Sequence, residues 1–402
     1  MQIPNREADV IKKYQLTNLV NNNNKWWTIE WWKAEKITRV TYGRVGQECA
    51  RPAFKDGIDE KKFNAMLRKR EKPQEEGTYK EILVGQKVNT AFHTDGLSQK
   101  LISRINKIFA AANENIGNFL TVNVDNLSLE QLEAGKDALA NTVRLHNSYK
   151  KRLVSDAELI AGAEKYYNLI PSKLPAKIKP LEVSLSLANN AADEEDKLQQ
   201  LVAAVSGLKV AKAGGSILDQ LGCKMEEADF PEFKFAEKYF NDTKRHYDRS
   251  QYKVKEVWRV EIPQERKAFN EFPVRDNIKT LWHGTRDANV RHILRKTGLI
   301  IPRYAANGSM YGRGIYLANI STKSLGYCGY GNEKYLFLID AILGNQYVTY
   351  STGSWTDAPK GYHSVYAPAG KQNGAYSGYL GFDEFILYKP EQQTIKYLVV
   401  VE

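Results

Sequence analysis

The chain has 402 residues, which is enough for two or three domains that each bury a core. Its net charge of +11 and pI near 9.2 favour a polyanionic partner. Cys49, Cys223 and Cys328 are far apart and lack metal-ligand spacing, so we expect free thiols in a reducing compartment. The N-terminus lacks the apolar core of a secretory signal, and no run reaches the ~20 apolar residues of a membrane span. We therefore expect a soluble intracellular protein.

Residues 1–90 predict a small β-rich domain with most of the excess charge, a net of +6 from 18 Lys and Arg against 12 Asp and Glu. The runs KWWTIEWW and ITRVTYGRVG are typical of strands, and DEKKFNAMLRKREK is typical of a helix. Alternation along the first strand predicts that one tryptophan of each pair, Trp26–Trp27 and Trp31–Trp32, faces inward.

Two further segments follow. Residues 91–213 predict an all-helical bundle, because apolar residues recur at helical spacing and the charge is nearly neutral, 15 Lys and Arg against 14 Asp and Glu. Residues 214–402 predict an α+β domain with a mixed, largely antiparallel sheet. Short aromatic and β-branched runs such as TLWHG, GIYLA and DEFILYK alternate there with helical pieces.

Three short motifs occur in order within this last segment: LWHGT, then GRGIYLANISTKSLGYC, then FDEF near the C-terminus. Together they resemble the His-Tyr-Glu signature of the poly(ADP-ribose) polymerase family. The resemblance implies an enzyme that uses NAD⁺ as a substrate, releases nicotinamide and transfers ADP-ribose to a protein acceptor, without a metal. Its catalytic residues would be His283, Tyr316 and Glu384.

The resemblance also implies how NAD⁺ is held. His283 would bind the adenosine ribose, the Gly284 backbone would bind the nicotinamide amide, and Tyr316 and Tyr327 would enclose the nicotinamide ring. The implied NAD-binding residues are His283, Gly284, Thr285, Tyr316, Ala318, Lys323, Ser324 and Tyr327. The sequence has no Rossmann glycine fingerprint, so this site would be built without a dinucleotide-binding βαβ unit.

Each catalytic candidate also has a purely structural interpretation. Glu384 could be a solvent-facing strand residue like its neighbour Asp383, and His283 could bond a nearby carbonyl at a strand end. Tyr316 could be a core residue. The apolar runs on both sides of Glu384 disfavour free solvation. A carboxylate there would stabilise the positive charge that develops on ribose as the nicotinamide bond breaks.

The N-terminal segment resembles the WGR module of the same family, with Tyr42 in place of the tryptophan. That module binds DNA ends, and the implied DNA-binding residues are Arg39, Tyr42, Gly43 and Arg44. The alternative is that Arg44 only pins the glycine turn. The helical segment resembles the family's regulatory domain, which in relatives covers the NAD⁺ site until DNA engages; the alternative is a passive spacer.

The sequence thus predicts a monomer with a WGR domain (1–90), a helical regulatory domain (91–213) and a catalytic domain (214–402). The expected function is poly(ADP-ribosyl) transfer stimulated by DNA ends or nicks. Two alternatives stay open, a mono-ADP-ribosyltransferase and a catalytically inert DNA-end-binding scaffold. The expected location is the nucleus in a eukaryote, or the cytoplasm and nucleoid in a bacterium, away from membranes.

Overall fold

A computed structural model describes residues 4–19, 23–44, 51–73, 79–82, 94, 96–175, 177–245, 252–295, 298–304, 309–374 and 378–402. The chain divides into two compact units. The first comprises Met1–Asn89 with Ile116–Val205, and the second comprises Thr90–Asn115 with Ser206–Glu402. The domain boundaries predicted at 90 and 213 do not coincide with this division and stay a prediction. Within the described ranges, no helix is both long and apolar enough to cross a membrane.

The first unit contains a five-stranded antiparallel sheet in the order β4-β3-β2-β1-β5. Its strands and the helix that packs on it are β1 (Val10–Asn18), β2 (Asn23–Trp32), β3 (Ile37–Arg44), β4 (Ala53–Lys55), α1 (Glu60–Glu71) and β5 (Lys80–Ile82). The two strands and the helix predicted from sequence are therefore present. The turn between β2 and β3 includes Lys36 at a φ of 54°, as a tight hairpin connection requires.

The prediction that one tryptophan of each pair faces inward is confirmed for the second pair, although both of its members are buried. Trp31 belongs to the apolar core of this sheet, and Trp32 is also only 3% exposed. Trp31 stacks on Phe63 of α1, with ring centroids 4.4 Å apart. On the opposite face, the indole N–H of Trp32 donates to the carbonyl of Arg6 at 3.0 Å. Strand alternation predicts opposite faces, but it cannot tell whether the outer face is covered by the chain terminus.

The long helices follow the sheet in the chain. They are α2 (Gln99–Phe119), α3 (Leu129–Lys150), α4 (Asp156–Leu169), α5 (Pro180–Asn189) and α6 (Ala191–Lys212). In the first unit, α4 packs beside β1, and its Glu164 accepts a hydrogen bond from the Leu19 backbone N–H at 2.7 Å. Helix α4 begins with a capping box formed by Ser155 and Glu158.

The second unit is built on two larger sheets and a short hairpin. A five-stranded sheet has the order β6-β7-β16-β10-β8, a four-stranded sheet has the order β11-β12-β15-β9, and β13 pairs with β14. The strands are β6 (Lys224–Glu227), β7 (Val254–Glu261), β8 (Ile278–Thr285), β9 (Ile315–Leu317), β10 (Lys334–Ile342), β11 (Gln346–Val348), β12 (Ser364–Ala367), β13 (Gly370–Gln372), β14 (Gly378–Leu380), β15 (Glu384–Leu387) and β16 (Gln393–Val401).

The described strand pairs of this unit are antiparallel except β11 with β12, in agreement with the predicted mixed, largely antiparallel architecture. The helices between the strands are α7 (Ile217–Leu221), α8 (Phe230–Asp242), α9 (Pro263–Glu271), α10 (Asp287–Ile293) and α11 (Ser321–Leu325). The α+β class predicted for the C-terminal segment is therefore confirmed.

The first part of α2 belongs to the core of the second unit. Its side chains Leu101, Ile105 and Ile108 are buried in the same apolar cluster as Trp258 of β7 and Phe337 of β10. The sequence placed the whole of α2 in a helical bundle. Its apolar stripe predicts that one face is buried, but the stripe does not say which partner covers that face.

Candidate active site

The two larger sheets of the second unit meet next to His283. Strand β8 is at the edge of its sheet, and Trp282 on β8 exchanges two backbone hydrogen bonds, of 2.8 and 2.9 Å, with Ala318 just after β9. This bridge brings the strand that carries His283 against the strand that carries Tyr316. It also engages the backbone N–H of Ala318, which is therefore not available to donate to NAD⁺.

The ring of His283 is oriented by the neighbouring strand. Its Nδ1 lies 3.1 Å from the carbonyl oxygen of Tyr316, and because a carbonyl only accepts, Nδ1 must carry the proton. Burial lowers the pKa of His283, which favours the neutral imidazole. In that tautomer Nε2 has a free lone pair and can accept a hydrogen bond from a ribose hydroxyl.

Gly284 exposes its backbone polar groups because β8 is an edge strand. Alternate residues of an antiparallel strand direct their N–H and C=O groups to the same side. Trp282 directs both groups away from β10 towards Ala318, so Gly284 also directs its N–H and C=O away from β10. Such a pair of groups matches the donor and acceptor of a carboxamide.

Glycine at position 284 is also required by close packing. A Cβ there would fall inside van der Waals contact with the carbonyl oxygen of Ser324 and 2.6 Å from its carbonyl carbon. Ser324 lies on α11, so Gly284 allows this helix to lie directly on β8. By allowing this close packing, the glycine determines where Lys323 and Ser324 on α11, and Tyr327 just after the helix, lie relative to β8.

We expect the Gly284→Ala variant to lose at least tenfold in affinity for a benzamide-type inhibitor, because the clash is with backbone and cannot be relieved by a side-chain rotation. Calorimetric titration measures this affinity. Gly381→Ala is a matched control, because a Cβ at that position meets no atom within 4 Å. Equal inhibitor affinities for the two variants and the parental chain would contradict this account of Gly284.

Helix α11 carries Lys323 and Ser324, and both are buried. The helix is fixed from behind by Ser321, whose hydroxyl donates to the Phe240 carbonyl at 2.8 Å. Thr285 is also buried at the end of β8. Tyr327 differs from these residues, since it is 60% exposed and its ring is available for contact.

Replacing Tyr327 with alanine is expected to weaken NAD⁺ and benzamide-type inhibitors together, because both rely on the same ring stack. Stacking contributes about 0.5–1.5 kcal/mol, which corresponds to about 2- to 13-fold in affinity. Tyr330→Ala is the matched control, since that ring is fully exposed three residues further on. Isothermal titration with the inhibitor provides the measurement, and an unchanged affinity would remove Tyr327 from the binding site.

The hydroxyl group of Tyr316 has a structural task. It donates to the Gly312 carbonyl at 2.8 Å and accepts from the Tyr311 backbone N–H at 3.0 Å. Gly312 has a φ of +83°, and a Cβ there would clash with the carbonyl of Trp355. The hydroxyl therefore holds a tight turn, and the ring of Tyr316 is the part that could contact a ligand.

Glu384 begins β15, where it pairs with Ala367 of β12. Its carboxylate Oε2 lies 2.5 Å from the Lys323 ammonium, and the two side chains are only 13% and 7% exposed. Burial raises the pKa of Glu384 and lowers that of Lys323, while their mutual attraction opposes both shifts. The solvent-facing interpretation of Glu384 does not fit this environment.

Asp383 has a different environment from Glu384. Its carboxylate accepts hydrogen bonds from the Asn319 amide, the Tyr366 hydroxyl and the Ala369 backbone N–H, at 3.0, 3.1 and 2.9 Å. Its backbone carbonyl accepts from Lys323 at 2.7 Å. The two neighbouring acids thus differ in their contacts. The Asp383 carboxylate accepts three hydrogen bonds, whereas the Glu384 carboxylate contacts the Lys323 ammonium.

The predicted catalytic and NAD-binding residues all lie in the second unit, around the junction of β8, β9, α11 and β15. Three of the four predicted DNA-binding residues are described in full in the first unit. Arg39 pairs with Glu30 at 2.6 Å, so its guanidinium is already engaged, whereas Tyr42 is 58% exposed. Gly43 lies opposite Trp26 on β2, and the Arg44 side chain lies outside the described residues.

Among the side chains that the structure describes, no group of three or more His, Cys, Asp or Glu residues could hold a metal ion. The predicted absence of a metal stays a prediction. Cys223 and Cys328 are free and buried, and Cys49 lies outside the described residues.

Comparison with known proteins finds a likeness for most of the second unit. Residues 231–402 match the family model of the poly(ADP-ribose) polymerase catalytic domain. The chain is 28% identical to poly [ADP-ribose] polymerase 1 of Gallus gallus over 281 residues, which are 61% of this chain and 28% of that protein. It is 25% identical to the protein mono-ADP-ribosyltransferase PARP4 of Homo sapiens over 367 residues, 88% of this chain and 20% of the relative.

A third relative is the protein mono-ADP-ribosyltransferase PARP3 of Homo sapiens, 31% identical over 155 residues, which are 37% of this chain and 28% of that protein. The chain thus spans less than a third of the length of these curated relatives. Their names cover both polymer-forming and single-unit transfer, so the likeness does not choose between the two. Residues 231–402 are thus similar to the catalytic domain of the poly(ADP-ribose) polymerase family.

Proposed function

We propose that this chain is an NAD⁺-dependent protein ADP-ribosyltransferase that breaks the bond between nicotinamide and ribose. The observation that carries the proposal is the buried Lys323–Glu384 pair. Glu384 begins the strand that pairs with the strand of Tyr316, and Lys323 lies on the helix that packs directly on Gly284. A polar pair costs free energy to bury, and such pairs are concentrated at functional sites.

The geometry suits the chemistry in three respects. Gly284 offers a donor and an acceptor to the nicotinamide carboxamide, and the exposed ring of Tyr327 offers a face to the nicotinamide ring. The neutral His283 offers Nε2 to a ribose hydroxyl. These contacts would place the ribose against Glu384, where the developing positive charge meets a carboxylate in a site of low solvent access.

Lys323 contacts one of the two carboxylate oxygens of Glu384, which leaves the other oxygen available to a substrate. The ammonium holds Oε2, and Oε1 has no hydrogen-bond partner among the described residues. We infer that Oε1 accepts from the ribose 2′-hydroxyl during cleavage. In polymer extension, the same oxygen would accept from the hydroxyl of the attacking ADP-ribose unit. The carboxylate thus supports poly(ADP-ribosyl) transfer, with mono-ADP-ribosyl transfer as the second candidate because PARP3 and PARP4 carry that name.

Incubation with NAD⁺ labelled in its adenosine half, with and without nicked or broken DNA, tests the proposal. A ladder of protein-bound label supports polymer formation, and a single shifted band supports single-unit transfer. Label that stays in free NAD⁺ under every condition would leave only the inert DNA-end-binding scaffold.

We further propose stimulation by DNA breaks through the first unit. The net charge of +6 in residues 1–90 favours phosphate contacts, and the exposed ring of Tyr42 could stack on a terminal base pair. Arg39 would first have to give up Glu30, so the exposed Tyr42 is a stronger candidate than Arg39. The helical segment 91–213 would restrict access to the NAD⁺ site until DNA binds.

If DNA and NAD⁺ are coupled in this way, a tight NAD⁺ analogue must strengthen DNA binding by the same factor by which DNA strengthens analogue binding. We expect a factor of about 5–150, measured on the full chain at one fixed salt concentration. Deletion of 91–213 is a poor test, because it would remove the buried α2 side chains from the second unit. Equal DNA affinity with and without the analogue would contradict the gating proposal.

A further inference from the structure

Asp383 joins three strand ends of the four-stranded sheet. It lies immediately before β15, and it accepts from Asn319, which follows β9, and from Tyr366, which belongs to β12. The backbone N–H of Ala369, just after β12, supplies the third hydrogen bond. One carboxylate therefore fixes the ends of β9, β12 and β15 relative to one another.

Asp383 also contacts the Lys323–Glu384 pair, through its backbone carbonyl. The Lys323 ammonium donates to the Asp383 carbonyl at 2.7 Å and lies 2.5 Å from Glu384 Oε2. The position of the ammonium thus depends on two consecutive residues, Asp383 through its carbonyl and Glu384 through its carboxylate. A shift of the chain at Asp383 would move both acceptors at once.

We propose that Asp383 is a positioning residue for Lys323 and Glu384, and that its carboxylate holds the chain so that one ammonium binds both the Asp383 carbonyl and the Glu384 carboxylate. This role rests on the proposed transferase function. Asp383 would act on the reaction through Glu384, and its own carboxylate oxygens face Asn319, Tyr366 and Ala369.

The charge of Asp383 has a second effect. Its negative charge raises the pKa of Lys323 and also raises the pKa of Glu384. Loss of that charge would therefore lower both pKa values. Removing the Asp383 charge should therefore change the pH dependence of the maximal rate, whereas loss of a remote structural acid should not. This difference separates positioning of the site from general stabilisation of the sheet.

The contact between the Asn319 amide and the Asp383 carboxylate can be tested by substitutions that exchange the two groups. Asn319→Asp alone sets two carboxylates against each other, and Asp383→Asn alone removes the charge and one acceptor. The double variant Asn319→Asp with Asp383→Asn again has one amide and one carboxylate in contact. If this contact positions Glu384, the double variant must regain activity that the single variants lose.

The experiment measures kcat, KM for NAD⁺ and the pH profile of kcat for the full chain with broken DNA. We expect Asp383→Ala and Asn319→Asp to lower kcat by about 10- to 100-fold, because small displacements of a reacting group cost rates of this order. KM and inhibitor affinity should stay within about twofold, since the nicotinamide contacts are elsewhere. The double variant should recover at least about tenfold over Asn319→Asp.

Asp340→Ala is the matched control. Asp340 is also a partly buried acid, and it accepts from Thr280 at 2.8 Å and pairs with Lys396 at 3.3 Å on the other sheet. This control should lose stability without a change in the pH profile of kcat. Asp383→Asn serves as the milder variant if Asp383→Ala does not fold.

The results separate this proposal from the function on which it rests. A parental chain that leaves NAD⁺ intact overturns the transferase function, and the positioning role falls with it. A parental chain that turns over NAD⁺, with Asp383 variants that behave like Asp340→Ala, overturns the positioning role alone. The same holds if the double variant is no more active than Asn319→Asp.

Discussion

The Glu384→Gln variant is expected to cleave NAD⁺ about 10²- to 10³-fold more slowly than the parental chain, the effect of losing one preorganised electrostatic contact. Glutamine keeps the size of the side chain and one hydrogen-bond acceptor, but it removes the charge that faces the cationic ribose. It also leaves the buried Lys323 without its carboxylate partner. Polymer extension should fall at least as far, because the acceptor hydroxyl would rely on the same oxygen.

The measurement is nicotinamide release under saturating NAD⁺, paired with the length of the protein-bound polymer. Glu391→Gln is the matched control, since it makes the same chemical change at an exposed residue of the turn Pro390–Gln392. The control should match the parental rate. A Glu384→Gln variant that extends polymer at the parental rate would show that Glu384 is misassigned.

Loss of Arg104 is expected to destabilise the second unit by about 3–5 kcal/mol, the range for breaking a buried ion pair. Arg104 lies on α2 with a side chain only 1% exposed. It donates to both oxygens of Glu256 at 2.7 and 2.8 Å, and to Glu333 at 2.6 Å. The variant Arg104→Met keeps the apolar stem and leaves the two carboxylates facing each other without a cation between them.

Denaturant unfolding, followed by loss of inhibitor binding, measures this effect. Lys107→Met is a matched control on the same helix, because Lys107 also bonds Glu333 at 3.0 Å but is 53% exposed. Exposed pairs contribute about 0–1 kcal/mol. Equal unfolding midpoints for the two variants would contradict the assignment of α2 to the core of the second unit.

The Arg104 interaction also predicts a pH dependence. The hydrogen bond from Arg104 is the main cause that lowers the pKa of Glu333 to about 2. A carboxyl whose pKa is depressed on folding contributes stability above its unfolded pKa, about 4.3, and loses it as the pH falls. The difference in stability between the parental chain and Arg104→Met should therefore shrink between about pH 5 and pH 2.

The sequence predicted local structure well where the signal is local. The runs KWWTIEWW and ITRVTYGRVG became β2 and β3, and the apolar run that ends in His283 became β8. These predictions succeed because strand period and turn residues act over a few positions. The meeting of His283, Tyr316 and Glu384 came from the family resemblance, since strand pairing over a hundred residues leaves no mark in one sequence.

What the sequence did not provide is the partner of each buried face. The apolar stripe of α2 was clear, but its packing with Trp258 and Phe337 depends on the whole fold. Asp383 and Glu384 look equivalent in sequence. Their separation into a bonded acid and a reactive one depends on Asn319 and Tyr366, which are 64 and 17 positions away. Tyr366 was not among the predicted site residues, because an aromatic on a strand is equally typical of a core.

The most direct test of the central claim uses NAD⁺ with one label in nicotinamide and another in the adenosine half, incubated with the full chain and broken DNA. We expect free nicotinamide and protein-bound ADP-ribose to appear in equal amounts. A benzamide-type inhibitor should block both products, and Glu384→Gln should slow both. Intact NAD⁺, or free nicotinamide without any protein-bound label, would contradict the claim that this site transfers ADP-ribose.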